Sequence, residues 1–256
     1  MKRLTIYKIA ILSLTMLLAA NSYSQQQKVL NLPNYDQDPY HFGFILAANN
    51  MLFNIKPVDN LSFIKWNGDQ SPDIFADSLY VYNVTSQGTP GFSIGILGNL
   101  RLARHFDLRF VPTLSFGERI LYYGILSYKD GESSYIEVQK SITSTLVEFP
   151  LFVKYRSKRL NNMAAYVTGG LKYTLDLASQ KKAEKNLNDV TVKINKHDLL
   201  AEVGVGFDFY TNYFKFGTEL RMGYGFFNLI KKEGNLYTDS IDRLKSKVFL
   251  LSFTFE

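Results

Sequence analysis

The sequence predicts an all-β fold, an eight-stranded antiparallel up-and-down transmembrane β-barrel. Three observations predict it. Eight stretches alternate apolar and polar residues with period two, the signature of strands. Their polar phase carries charges of both signs, while the apolar phase is almost unbroken Val, Ile, Leu, Phe and Tyr. Short turns alternate with mostly longer loops along the chain, the pattern of barrels in the outer membrane.

Residues 1–24 read as a secretory signal peptide. Lys2, Arg3 and Lys8 form its basic start, an apolar core follows, and Ser22-Tyr23-Ser24 supplies the cleavage site. Cleavage there lowers the net charge from +6 to +3, too little to argue for a nucleic-acid partner. With no cysteine, the exported chain has neither a disulfide nor a thiol for a lipid anchor. After the signal, no apolar run is long enough for a membrane helix. Residues 25–39 are polar and read as an extended periplasmic lead-in, and residues 40–256 as the barrel, with both termini periplasmic.

The first strand is expected over residues 40–56, where Phe42, Phe44, Leu46 and Ala48 share a face. Residues 57–90 form a long connection, rich in Asp, Asn, Ser and Gly but also holding apolar side chains that must pack on something. The second strand spans 91–102 and the third 107–128, ending at the Asp130-Gly131 turn. The fourth, 134–156, and the fifth, 163–178, flank a polar turn at 157–162. A charged loop over 179–194 precedes the sixth strand, 198–210. The seventh, 214–230, follows a short turn, and the eighth, 244–256, follows the last loop. Pro112 and Pro150 fit only at bulges or frayed pairing close to the short turns.

Charge assigns the interior. If the apolar phase faces acyl chains, the opposite phase places Arg101, Arg109, Arg119, Glu148, Lys154, Arg156, Lys172, Asp176, Glu202, Asp208, Lys215, Glu219 and Arg221 inside. In hydrocarbon each Arg or Lys near the midplane would cost about 2–4 kcal/mol, whereas inside a barrel they can pair. Eight strands leave a lumen that side chains fill, so a structural network is expected there and an open pore is not.

His41, His105 and His197 lie in unrelated segments without metal-ligand spacing, and no nucleophile or phosphate-binding motif occurs. The expectation is a protein with no catalytic, cofactor-binding or metal residues and no small-molecule substrate. The first long connection carries Phe63, Trp66, Phe75, Tyr80 and Tyr82. Exposed aromatics at this density either cover the barrel mouth as a lid or meet a partner, and the residues leave both open.

Residues 31–56 (NLPNYDQDPYHFGFILAANNMLFNIK), 90–102 (PGFSIGILGNLRL) and 148–162 (EFPLFVKYRSKRLNN), the last leading into 166–170 (YVTGG), resemble the PorT family of the Bacteroidota. The resemblance covers essentially the whole mature chain. It implies a non-enzymatic outer-membrane barrel required for type IX protein secretion, and for gliding motility in relatives that glide. Its implied partners are outer-membrane lipid and other secretion-system proteins. The residues alone leave open a small outer-membrane barrel that binds a ligand or lipid through its extracellular loops.

Overall fold

Period-two alternation becomes ten antiparallel strands in one sheet: β1 (Tyr40–Pro57), β2 (Trp66–Asn67), β3 (Ser78–Arg101), β4 (Phe106–Phe110), β5 (Thr113–Lys129), β6 (Glu132–Arg156), β7 (Met163–Asp176), β8 (His197–Tyr210), β9 (Lys215–Gly225) and β10 (Ile241–Phe255). A single short helix, α1 (Leu236–Asp239), is found among the described residues. The computed structural model describes residues 29–71, 73–178 and 192–256. The signal peptide and most of the charged loop at 179–194 therefore lie outside the described residues. Residues 31–256 form one unit, while Val29 and Leu30 belong to the preceding one and are exposed.

The sheet curls until its ends meet. β1 pairs with β10 from Phe44↔Phe255 onward and, on its other side, with β3 from Tyr40↔Leu100 to Met51↔Thr89. The remaining long strands pair with their neighbours in chain order, so the topology is up-and-down. Closure removes the edge that would leave unpaired backbone groups.

The strand count is ten rather than eight, for two physical reasons. Pro112 lacks an N–H and interrupts what the alternation presents as one strand, giving β4 and β5, which both pair with β3 and β6. At the break the Val111 N–H donates to the Pro150 carbonyl and the Pro112 carbonyl accepts from the Ile96 N–H. The second extra strand is β2, two residues of the first long connection that pair with Leu79 and Ser78 of β3.

Closure is also uneven. Residues 78–90, expected in the connection, are strand, so Tyr80 and Tyr82 stand on β3 rather than on a loop. Leu79 and Val81 are fully buried while Tyr82 is 56% exposed, the alternation of a strand. Pro90 hides this continuity; it sits where the β3–β5 register shifts between Gly88 and Phe92, a place a strand tolerates proline. Beyond Thr89, β3 has lost β1 but stays paired with β5 as far as Ser78↔Tyr128. β3, β5 and β6 thus project past the ring as a three-stranded wall. The wall ends in a tight hairpin with Asp130 and Gly131 both at positive φ.

Two further expectations change at the ends. β9 stops at Gly225, and β10 begins at Ile241, so the last loop runs over residues 226–240. The lead-in is not extended. Tyr35–Gln37 forms a 3₁₀ turn that folds back onto the short-turn end of the ring.

Candidate functional site

The inward face of the ring carries a stack of ion pairs, flanked by small apolar clusters around Met51 and Leu97. Nearest the short turns, Glu256 accepts from Arg109 Nη2 at 2.7 Å, and its other oxygen is ion-paired with Lys215 Nζ at 2.7 Å. Lys154, fully buried, meets both oxygens of Asp208 at 2.9 and 2.7 Å, and its ammonium lies 3.7 Å from the centre of the Tyr166 ring. One layer up, Lys172 bridges Glu148 at 2.9 Å and Glu202 at 2.6 Å. Arg221 reaches Glu219 at 3.2 Å and Glu202 at 3.6 Å, with its guanidinium over Phe152. Thr168 donates to Glu219 at 2.6 Å. Highest is Arg119, 3.5 Å from Asp176.

Small residues make the room. A Cβ on Gly204 would lie 2.6 Å from Glu219 Oε1 and from Thr168 Oγ1, and one on Gly223 would lie 2.8 Å from Glu202 Oε1. Either would displace a charged group from its partner. Two voids among these residues are small: about 20 Å³ beside Arg119 and Asp198, and about 10 Å³ beside Asp36 and Lys215. Each is the space of roughly one water.

Both ends of this stack are covered. At the short-turn end, Asp36 of the lead-in pairs with Arg156 and accepts from the Tyr210 hydroxyl at 2.8 Å. Tyr35 stacks on His41 at 3.9 Å between ring centres and lies over Lys215. Burial, with the Glu256 carboxylate adding to it, pushes the Tyr35 hydroxyl above its ordinary value and keeps it neutral. Arg159 in the β6–β7 turn holds the lead-in by the carbonyls of Asn31 and Leu32.

At the long-loop end the cover is apolar. Residues 58–77 bring Leu61, Trp66 and Ile74, and residues 226–240 bring Leu229, Ile230, Leu236 and Tyr237, onto the inward face of the projecting wall. Polar ties fix the two loops. Tyr123 donates to the Tyr237 carbonyl at 3.1 Å, Ser71 to the Tyr237 hydroxyl at 3.1 Å, and Val58 N–H to the Ser240 carbonyl at 3.1 Å. Lys140 of β6 pairs with Asp73 and stands 4.6 Å from the centre of the Tyr237 ring.

Twelve of the thirteen interior candidates are thus brought together inside the ring. Arg101 is not; it sits at the rim and donates to the Gln37 carbonyl at 2.9 Å. The aromatic candidates divide. Trp66 is buried at 7% exposure, and Tyr80 packs edge-on against Tyr128, whereas Phe63 and Phe75 stand 83% and 88% exposed. Sequence reasoning missed Glu256, Asp36, Asp73 and Lys140. The signal for Glu256 was present, since it continues the inward phase of Ser252 and Thr254 by one residue. Asp36 carried no signal, because its segment has no alternation to phase it.

The outward face is the converse. Phe42 and Ile96 are 73% and 69% exposed, and rings stack between strands, as Phe44 on Phe255 and Phe92 on Phe116, both at 4.8 Å. An apolar belt outside and paired charges within is the inversion of a soluble β-barrel.

Residues 24–231 match the family described as outer membrane protein beta-barrel domain. No curated protein matches the chain. Among solved structures, it is similar to Neisserial surface protein A (NspA), at 13% identity and a TM-score of 0.37, covering 85% of this chain and 99% of that one. It is also similar to the outer membrane protein OprG from Pseudomonas aeruginosa, at 10% identity and a TM-score of 0.40, covering 83% and 95%.

Proposed function

The chain belongs to the outer membrane protein beta-barrel domain family, and from that premise we propose that it is a non-conducting barrel serving type IX secretion as a non-enzymatic component. The observation that carries the non-conducting part is the threefold filling of the lumen. The lead-in covers one end, layered ion pairs occupy the middle, and an apolar lid seals the other. A barrel built this way works through its surfaces. The assignment to secretion rests on the resemblance of residues 31–56, 90–102 and 148–170 to the PorT family.

In this reading both termini and the short turns face the periplasm, the long loops face outward, and the apolar belt meets lipid. Phe63 and Phe75 are the docking residues for another secretion-system protein. Their neighbours Leu61 and Ile74 are buried, so the lid holds the two rings out in fixed positions. The test is the double variant Phe63→Ser with Phe75→Ser. The barrel should remain heat-modifiable in the outer membrane while release of type IX cargo falls. Normal cargo release at wild-type protein level would overturn the role.

A further inference from the structure

We propose that the outer wall of the projecting strands is a binding site for a neutral, polyhydroxylated saccharide. The inference rests on the orientation given above, with the long loops outside. On β3 the outward residues are apolar from Phe92 to Leu100 and become polar at Gln87, Thr85 and Asn83. At about 3.3 Å per residue and the tilt of barrel strands, Gln87 and Asn83 stand roughly 12 and 23 Å above the level of Phe92. That is the level of headgroups and sugars, not of acyl chains.

The wall is shaped there. Asn83, Thr85, Gln87, Tyr122, Tyr135 and Glu137 line a concavity of about 360 Å³. Register places its parts as a grid: Thr85 opposite Tyr122, and Asn83 opposite Gly124, which is in turn opposite Glu137. Gly124 is what permits the shape. A Cβ there would lie 2.3 Å from Tyr135 Oη and 2.4 Å from Asn83 Oδ1. The absence of a side chain lets Tyr135 lie down across the sheet, and its ring remains 59% exposed.

The polar groups are set out for hydroxyls. The Gly124 N–H donates to Asn83 Oδ1 at 3.0 Å, which fixes that amide and leaves its NH₂ for a ligand. The side chains of Thr85, Gln87 and Glu137, unlike their ladder-paired backbones, make no hydrogen bond among the described residues. Amide donors, a carboxylate acceptor and the recumbent Tyr135 ring suit the alternating hydroxyl edges and C–H faces of a sugar. No Lys or Arg lines the concavity, so a phosphate has no counter-charge here. The ligand chemistry has two sources, a free oligosaccharide or the glycan of an outer-leaflet glycolipid.

The experiment titrates the full barrel in detergent micelles by calorimetry. One arm uses an uncharged O-antigen oligosaccharide freed of core and lipid, and the other uses intact lipopolysaccharide carrying the same O-antigen. Saturable binding of the oligosaccharide is expected, weakened about tenfold by Tyr135→Ala and by Glu137→Ala. It should be unchanged by Tyr213→Ala at the opposite end, where the ring is fully in solvent. Tighter binding of the intact glycolipid, with the same dependence on Tyr135, identifies the membrane-linked source; equal affinities identify the free one. No binding of the oligosaccharide, or binding indifferent to both variants, overturns the proposal. Maleimide labelling of Tyr135→Cys on whole cells reports the orientation separately, since the chain has no other cysteine.

Discussion

The interior of this barrel is filled in two ways, by ion pairs set among small apolar clusters such as Ile45, Leu97 and Val111 within the closed ring, and by a largely apolar cover at its mouth. The seam between them is Arg119, whose guanidinium lies over the Phe53 ring at 4.3 Å while pairing with Asp176. Within the ring, charges on one strand find counter-charges on another. Lys172 of β7 pairs with Glu202 of the neighbouring β8, Lys154 of β6 with Asp208 two strands away, and Arg109 of β4 with Glu256 at the end of β10. Above the seam only the β1–β10 pair continues beside the wall of β3, β5 and β6, and the ring is no longer closed. The wall's inward face is Leu79, Val81, Leu121, Tyr123 and Ile125, all fully buried, and Phe53, Ile241, Leu244 and the connecting loops cover it. Closure permits a polar filling; an open wall demands an apolar cover.

The contrast can be broken most forcefully at Lys172. Replacing it with Met strands Glu148 and leaves Glu202 only Arg221 at 3.6 Å, and should cost about 3–5 kcal/mol. Urea unfolding in lipid bilayers reads this as a lowered midpoint. An unchanged midpoint would mean that the pairs do not hold the ring.

Trp66→Ala attacks the other region, with a loss of about 2–3 kcal/mol confined to the lid. Limited proteolysis should then cut within residues 58–77 while the ring keeps its heat-modifiable migration. If the ring's unfolding midpoint falls as far as in Lys172→Met, the two regions are one cooperative unit. Asp73→Asn, which removes the lid's charged tie to Lys140, should give the same cleavage pattern with a smaller loss of about 1–2 kcal/mol. The least effect on stability, within about 0.5 kcal/mol, is expected for Phe75→Ser, since nothing buries that ring. A measurable shift in melting would show that Phe75 packs on the lid.

How much of this was legible in the sequence follows from the same contrast. Where the ring is closed, period two separates lipid-facing from inward residues, and Arg109, Lys154, Lys172, Glu202 and Asp208 could be phased without any structure. The mouth obeys no period. Trp66, Ile74 and Leu236 are buried by loops whose course depends on what they cover. The alternation at 79–82 was visible, yet Pro90 concealed that it continues the strand below. Tyr35 and Asp36 illustrate the same limit at the other end, because a 3₁₀ turn placed by scattered tertiary contacts has no pattern along the chain.

Single-channel recording in planar bilayers tests the central claim most directly, using the wild type beside a variant lacking residues 69–76. That deletion removes part of the lid, including Asp73 and Ile74, but touches none of the ion-paired layers. Both proteins should insert without stable conductance, because the layers from Glu256 to Arg119 fill the ring on their own. A reproducible open channel in the wild type would contradict the filled barrel. A channel in the deletion variant alone would show that the lid, and not the ion pairs, closes it.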